Sequence, residues 1–398
     1  MNQDLNKLQP YPFEKLAQLK HDVQPDTSRP HIALSIGEPQ HQAPAFVTEE
    51  LLAHLHTLSK YAATRGLPEL RSAIAQWLTK RFELPQGSID GEHHVLPVNG
   101  TREALFAFAQ AVVERQSAPV VIMPNPFYQI YEGAAVLAGA EPYFLNTDRE
   151  NGYRPDFQAV PHKVWERCQL IYLCSPGNPT GAVLDIETLQ HLIHLADRHD
   201  FIIAADECYS EIYFDETAPP VGLLQAAAHL GRDDYRRCVV FHSLSKRSNL
   251  PGLRSGFIAG DRDLIAKFLL YRTYHGCAMP LHHQAASIKA WADEEHVRHN
   301  RALYRQKFDA VLPLLEDVLE LSKPDAGFYL WPRTPIDDET FATELYGQHN
   351  VTVLPGRYLS RTAHGANPGT HHLRIALVAP QDECIDAAQR IRDYLTTR

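Results

Sequence analysis

Residues 169–209 read QLIYLCSPGNPTGAVLDIETLQHLIHLADRHDFIIAADECY. The runs Gln169–Cys174 and Phe201–Ala205 are short and almost wholly apolar, as strands covered on both faces must be. Between them Asp185–His199 places its leucines and isoleucines on a helical period. Strand, helix, strand is the crossover unit of a parallel sheet. Working outward, Pro119–Met123, Val239–His242 and Ser255–Ala259 read as further strands and Thr101–Glu114 as an amphipathic helix. Residues from about 95 to 275 therefore form an α/β layer with a mainly parallel sheet and helices on both faces.

The texture changes towards the C-terminus. A helical stretch spans Glu294–Leu321, strand-like runs follow at Phe328–Trp331 and Leu373–Val378, and a last helix closes the chain. That pattern suits a smaller α+β lobe, completed by the N-terminal segment. The expected division is 1–45 as an N-terminal arm and part of the small domain, 46–290 as the large domain, and 291–398 as the small C-terminal domain. Asp215–Leu230 and Arg361–Thr370 read as surface loops.

The chain has 398 residues, 44% hydrophobic and 22% charged, enough for more than one core. Its net charge of -10 argues against a polyanionic partner such as nucleic acid and leaves a small molecule as the expected one. No apolar run approaches the roughly 20 residues that span a bilayer, and the opening MNQDLNKLQPYPFEKLAQLK lacks a basic-then-apolar signal, so a soluble cytoplasmic protein is expected. Six cysteines without a C-x-x-C pair read as reduced structural thiols. The 22 histidines show no regular ligand spacing, and no metal site is expected.

Three polar clusters follow strand ends, where ligands collect in open α/β sheets. They are S-P-G-N-P-T-G (175–181), A-D-E-C-Y (205–209) and S-L-S-K-R-S-N-L-P-G-L-R-S-G (243–256). Singly, each has an ordinary explanation as a turn, a helix cap or solvated polar residues. Together they offer an amine, a buried acid, hydroxyls and a guanidinium. A carbonyl cofactor such as pyridoxal phosphate needs that set: an amine to condense with, an acid for its ring nitrogen, donors for its phenolic oxygen and a phosphate cradle.

Further stretches stand in order around these clusters: S-I-G-E-P (35–39), K-Y-A-A-T-R-G-L-P-E-L-R (60–71), N-G-T-R-E-A-L (99–105), P-F-Y-Q-I-Y (126–131) and L-R-I-A-L (373–377). With them the chain resembles the fold-type I, class I/II aminotransferases, which use pyridoxal 5′-phosphate, over nearly its whole length. The resemblance implies that Lys246 is the lysine that holds the cofactor and carries the proton, and that Asp206 faces the pyridine nitrogen. Asn178 and Tyr209 would donate to the phenolic oxygen, and Tyr128 would stack on the ring. Gly100, Thr101 and Arg102, opening a helix, would meet the phosphate together with Ser243, Ser245 and Arg254. For Arg102 a surface side chain with only its backbone engaged is an equal alternative.

By the same resemblance Arg374 grips the substrate α-carboxylate beside Gly37 and Asn178, and Tyr61 reaches the neighbouring active site of a homodimer. Partners would be an amino acid and a 2-oxo acid, exchanged in ping-pong order. L-Q-P-Y-P-F-E-K-L (8–16) and M-P-N-P-F-Y-Q-I-Y-E-G-A-A (123–135) resemble the diaminopimelate-pathway branch, implying N-succinyl-LL-2,6-diaminopimelate and 2-oxoglutarate as substrates. Arg65 and H-G-C-A-M-P (275–280) are expected near the outer pocket, where extra carboxylates would bind. Alternatives are another amino donor (N-acetylornithine, aspartate or an aromatic), a C–S β-lyase on the same fold, and a non-catalytic regulator. The last lacks support from any basic recognition segment.

Overall fold

In the computed structural model, which describes residues 1–398, one large sheet carries the site. Its seven strands lie in the spatial order Val95–Val98, Gly256–Gly260, Cys238–Ser243, Ile202–Asp206, Cys168–Cys174, Val120–Asn125 and Glu141–Asn146. The inner strands pair in parallel. Gly256–Gly260 alone runs antiparallel to both its neighbours. Alternate residues feed two separate cores: Ile171, Leu173, Ile203, Ala205 and Val240 face one way, and Leu170, Tyr172, Ala204, Val239 and Phe241 the other. Each large apolar side chain fully buried in this way contributes about 1.5–3 kcal/mol, which is why these strands contain almost no polar residue.

Register aligns the chemistry. Cys174 pairs with Asp206, and Asp206 pairs with Phe241, so the segments starting at Ser175, Glu207 and Leu244 leave the sheet along one edge. The connecting helix Ile186–His199 is started by Asp185, whose carboxylate accepts the Thr188 N–H at 2.8 Å, and is ended by Asp200 in the left-handed region.

The second assembly is built from both ends of the chain. Leu354–Pro355, Leu373–Ala376 and Tyr329–Leu330 form an antiparallel three-stranded sheet, while Ile32–Ala33 pairs in parallel with Val351–Thr352. Ile32 and Leu34 pack in one core with Phe308, Leu345, Ile375 and Ile391 from the helices and strands near the C-terminus. The long helix Glu295–Leu315 connects to the large sheet through buried charge: Arg301 and Arg81 flank Glu211, with Arg81 Nε 2.6 Å from its carboxylate.

Several expectations need correction. Asp215–Leu230 is not all loop, because the alanine-rich Leu223–His229 forms a helix. The long helix stops at Leu315 rather than Leu321, two residues past Pro313, which removes a backbone donor. Of Phe328–Trp331 only Tyr329–Leu330 is strand. Arg361–Thr370, by contrast, is a loop as expected, with no helix or strand. All six cysteines are free, and no helix is long and apolar enough to cross a membrane.

Candidate active site

A cavity of about 470 Å³ opens where the strand ends converge. Among the residues singled out from sequence, Gly37, Thr101, Arg102, Tyr128, Asn178, Asp206, Tyr209, Ser243, Ser245, Lys246, Arg254 and Arg374 line it. Gly100 lies just behind the wall, under the Arg254 guanidinium. Tyr61 does not enter this cavity; its side chain is fully exposed. Arg65 is paired with Glu92 instead of facing the cavity, and none of residues 275–280 reaches the lining.

Asp206 ends its strand with a carboxyl group only 4% exposed. It accepts the Tyr131 hydroxyl at 2.7 Å and the Cys208 backbone N–H at 3.3 Å. Burial dominates these bonds and pushes the carboxyl above its usual range. A cation placed against it would reverse that shift. Across the cavity the Lys246 Nζ donates to the Gly37 carbonyl at 2.5 Å. Burial, reinforced by the charge of Arg374, brings this amine down to about 8. The turn that carries it is fixed by Asn300, which donates to the carbonyls of Lys246 and Arg247 at 3.2 and 3.3 Å.

The helix Thr101–Val112 starts at Gly100, whose φ of +83° favours glycine. A Cβ there would stand 2.3 Å from an Arg254 nitrogen, so only glycine lets the guanidinium lie over the helix N-terminus. Thr101, Ser243 and Ser245 add side-chain hydroxyls to the cavity lining. A guanidinium, three hydroxyls and free helix N–H groups are the donor set of a phosphate dianion. With a buried acid and an amine brought down to about 8 in the same lining, the residues fit a pyridine aldehyde phosphate.

Arg374 also lines the cavity. Its Nη1 donates to Asn178 Oδ1 at 3.0 Å and its Nη2 to the Ser35 carbonyl at 2.7 Å, while its buried Nε has no partner. The guanidinium lies 4.6 Å over the Tyr329 ring, and the Tyr329 hydroxyl is 3.0 Å from that of Tyr209. Gly37 is constrained by the same tyrosine, since a Cβ there would fall 1.9 Å from its oxygen.

Sequence reasoning gave no role to Tyr131, Tyr329, Cys208, Tyr11 or Phe13. Tyr131 had a signal: it follows Tyr128 by one helical turn in P-F-Y-Q-I-Y. Tyr11 and Phe13 come from the N-terminal segment, where nothing local marks them as cavity residues. A separate group, Glu103, His275 and Cys277, brings potential ligand atoms within 4.8 Å of one another. Both Glu103 oxygens there are engaged by Arg272, at 2.9 and 2.8 Å.

The sequence pattern of the family described as Aminotransferase class I and II matches residues 29–391. LL-diaminopimelate aminotransferase from Maridesulfovibrio salexigens is 30% identical over 393 residues, 97% of each chain. The enzyme of that name from Aquifex aeolicus is 30% identical, covering 98% of this chain and 97% of its own. A crystal structure of an aminotransferase from Neisseria meningitidis superposes with a TM-score of 0.95 at 48% identity, over 99% of this chain and all of that one. A probable N-succinyldiaminopimelate aminotransferase from Thermus thermophilus superposes with a TM-score of 0.84 at 27% identity, over 96% of this chain and 100% of its own.

Proposed function

Since the chain belongs to the class I and II aminotransferases, a family dependent on pyridoxal 5′-phosphate, we propose that it moves an amino group between a diaminopimelate-type donor and 2-oxoglutarate. The observation that carries the reading is the facing pair in one cavity: the softened Lys246 amine and the buried Asp206 acid, with Arg374 beside them. When bound, the cofactor supplies a carbonyl that amines condense with and a ring that draws electrons from the donor's α-carbon.

The chain's own residues do the rest. Arg254, Thr101, Ser243, Ser245 and the N–H groups after Gly100 hold the phosphate. Asp206, oriented by Tyr131, keeps the ring nitrogen protonated. Asn178 and Tyr209 donate to the phenolic oxygen, and Tyr128 covers the ring face. Arg374 takes the α-carboxylate through its free edge, with Gly37 allowing close backbone approach. Lys246, once released, moves the proton at the α-carbon; an amine near 8 serves both as base and as acid at neutral pH. Phe13, Leu359 and Ile36 line the cavity with apolar surface that limits water.

For the donor, the N-terminal and 123–135 segments support N-succinyl-LL-2,6-diaminopimelate. The relatives at 30% identity favour a second reading, the unsuccinylated LL-diaminopimelate. The proposal includes a large cofactor-binding domain over 46–290, a small one over 291–398 and an arm over 1–45. It also includes a homodimer in which Tyr61 completes the neighbouring site. Exposed Leu52, Leu55, Leu58 and Tyr61 supply apolar surface for that contact.

Borohydride reduction of the cofactor-loaded protein followed by peptide mapping tests the core reading: the label belongs on Lys246, and a label elsewhere refutes it. Comparing kcat/KM for both diaminopimelate forms, N-acetylornithine, aspartate and phenylalanine with 2-oxoglutarate tests the donor. Pyruvate release without glutamate formation would instead indicate a β-lyase.

A further inference from the structure

Lys246 is held at two points. Its Nζ donates to the Gly37 carbonyl at 2.5 Å, and its own backbone carbonyl accepts from Asn300 Nδ2 at 3.2 Å. Further along the loop that carries Gly37, His41 Nδ1 lies 2.8 Å from Asn300 Oδ1. These contacts close a ring: from the lysine amine to Gly37, along the chain to His41, across to Asn300 and back to the lysine backbone. Asn300 belongs to the long helix Glu295–Leu315, so the ring joins three segments far apart in sequence.

The direction of each bond follows from chemistry. Asn300 donates to the carbonyls of Lys246 and Arg247, which can only accept, so its amide nitrogen faces that turn and its oxygen faces His41. The same oxygen accepts from Asn249 Nδ2 at 2.8 Å. His41 therefore donates through Nδ1, and the neutral ring leaves Nε2 bare, buried and without a partner. The imidazole rests on Tyr304, one helical turn beyond Asn300, with ring centres 4.5 Å apart. Burial first, and then the nearby charges of Lys307 and His299, take His41 down to about 4 against the opposing bond to Asn300. The Nδ1–H donor is thus kept at neutral pH. A histidine tied to a neighbouring helix is by itself an ordinary tertiary contact. Here both ends of one loop bear on the same lysine.

Under the function proposed above, on which this step rests, Lys246 takes the proton from the donor's α-carbon. The C–H bond breaks, an N–H bond forms at Nζ, and the electron pair left on carbon is drawn into the cofactor ring. We infer that His41 is a positioning residue for this transfer: acting through Asn300, it fixes the Lys246 turn against the Gly37 carbonyl, so that the amine meets the α-carbon from one place.

The test uses His41→Leu, His41→Asn and Asn300→Leu. Leucine fills either site without a donor, whereas asparagine at 41 restores an N–H close to the position of Nδ1. The first readout needs no turnover: the rate at which cofactor-free protein captures pyridoxal 5′-phosphate is measured against pH. Burial and Arg374 lower the Lys246 amine, while Cys208, Glu38 and Asp206 act the other way. An amine released from its seat regains water, so in both leucine variants the midpoint should rise by about one pH unit, making capture at pH 7 about tenfold slower. His41→Asn should return it close to the wild-type value. The second readout is the α-deuterium isotope effect on a single half-reaction of the loaded enzyme with glutamate, followed by stopped-flow absorbance. It should increase in the leucine variants, because proton transfer becomes the slow step, with little change in the glutamate concentration giving half-maximal rate. Unchanged midpoints and isotope effects would overturn the inference. So would a His41→Asn variant as impaired as His41→Leu, which would reduce His41 to packing. Borohydride labelling away from Lys246 in the wild type would instead sink the aminotransferase reading itself.

Discussion

Capture of pyridoxal 5′-phosphate by the cofactor-free protein should accelerate with pH and level off near pH 8. Only the neutral amine has the lone pair that attacks the aldehyde, so the rate follows the deprotonated fraction of Lys246. With the amine at about 8 instead of 10.5, roughly a tenth is neutral at pH 7 rather than about one part in 3000, an advantage of about 300-fold. Burial is the first cause and the Arg374 charge adds to it, so Arg374→Gln should move the midpoint upwards. The sign for stability follows from the same depression. Between about pH 8 and 10.5 the unfolded chain holds a proton that the folded chain does not, so the cofactor-free protein gains stability as pH rises through that window. Stopped-flow absorbance from pH 6.5 to 9.5 measures the capture rate. A rate still climbing tenfold per pH unit at pH 9.5 would show an ordinary lysine and refute the argument.

Tyr131→Phe removes the hydroxyl that donates to Asp206, and cofactor affinity should fall about tenfold or more, as expected for a hydrogen bond to a charged group. Unchanged affinity by fluorescence titration would mean that Asp206 is held by other contacts. Gly100→Ala places a Cβ 2.3 Å from Arg254 at a φ of +83°, so the phosphate end should be disrupted. The expected sign is weaker binding of pyridoxal 5′-phosphate with little loss for phosphate-free pyridoxal, checked by absorbance titration of both. Burial pushes the Glu211 carboxyl up, but Arg81, Arg247 and Arg301 outweigh it and leave it lowered. Glu211→Ala takes from Arg81 its carboxylate partner, while Arg247 and Arg301 keep Glu294 and Glu216, and should cost about 3–5 kcal/mol in urea unfolding; a loss under about 1 kcal/mol would contradict the role given to this network.

The site's chemistry was legible where it sits at the ends of buried strands. Asp206, Asn178 and Lys246 each follow an apolar run too uniform to be anything but a covered strand, and the turn residues beside them mark where the chain leaves the sheet. The features that sequence did not disclose are either non-local or lack an apolar signature. Glu141–Asn146 is one of the two edge strands, and its E-P-Y opening reads as polar because that edge is partly exposed. The antiparallel sense of Gly256–Gly260 cannot be read from its composition. Tyr329 looks like an ordinary core aromatic, and its pressure on Gly37 joins residues from opposite ends of the chain. Arg65 shows the converse: expected near the outer pocket, it finds the carboxylate of Glu92 in the fold and stays out of the cavity.

The pairing of Ile32–Ala33 with Val351–Thr352, together with Arg374 beyond it, means that the cavity is assembled from the two extremes of the polypeptide. During synthesis Lys246 and Asp206 emerge from the ribosome long before Arg374 is translated. Of all the residues around the cavity, Arg374 is therefore the last to be made.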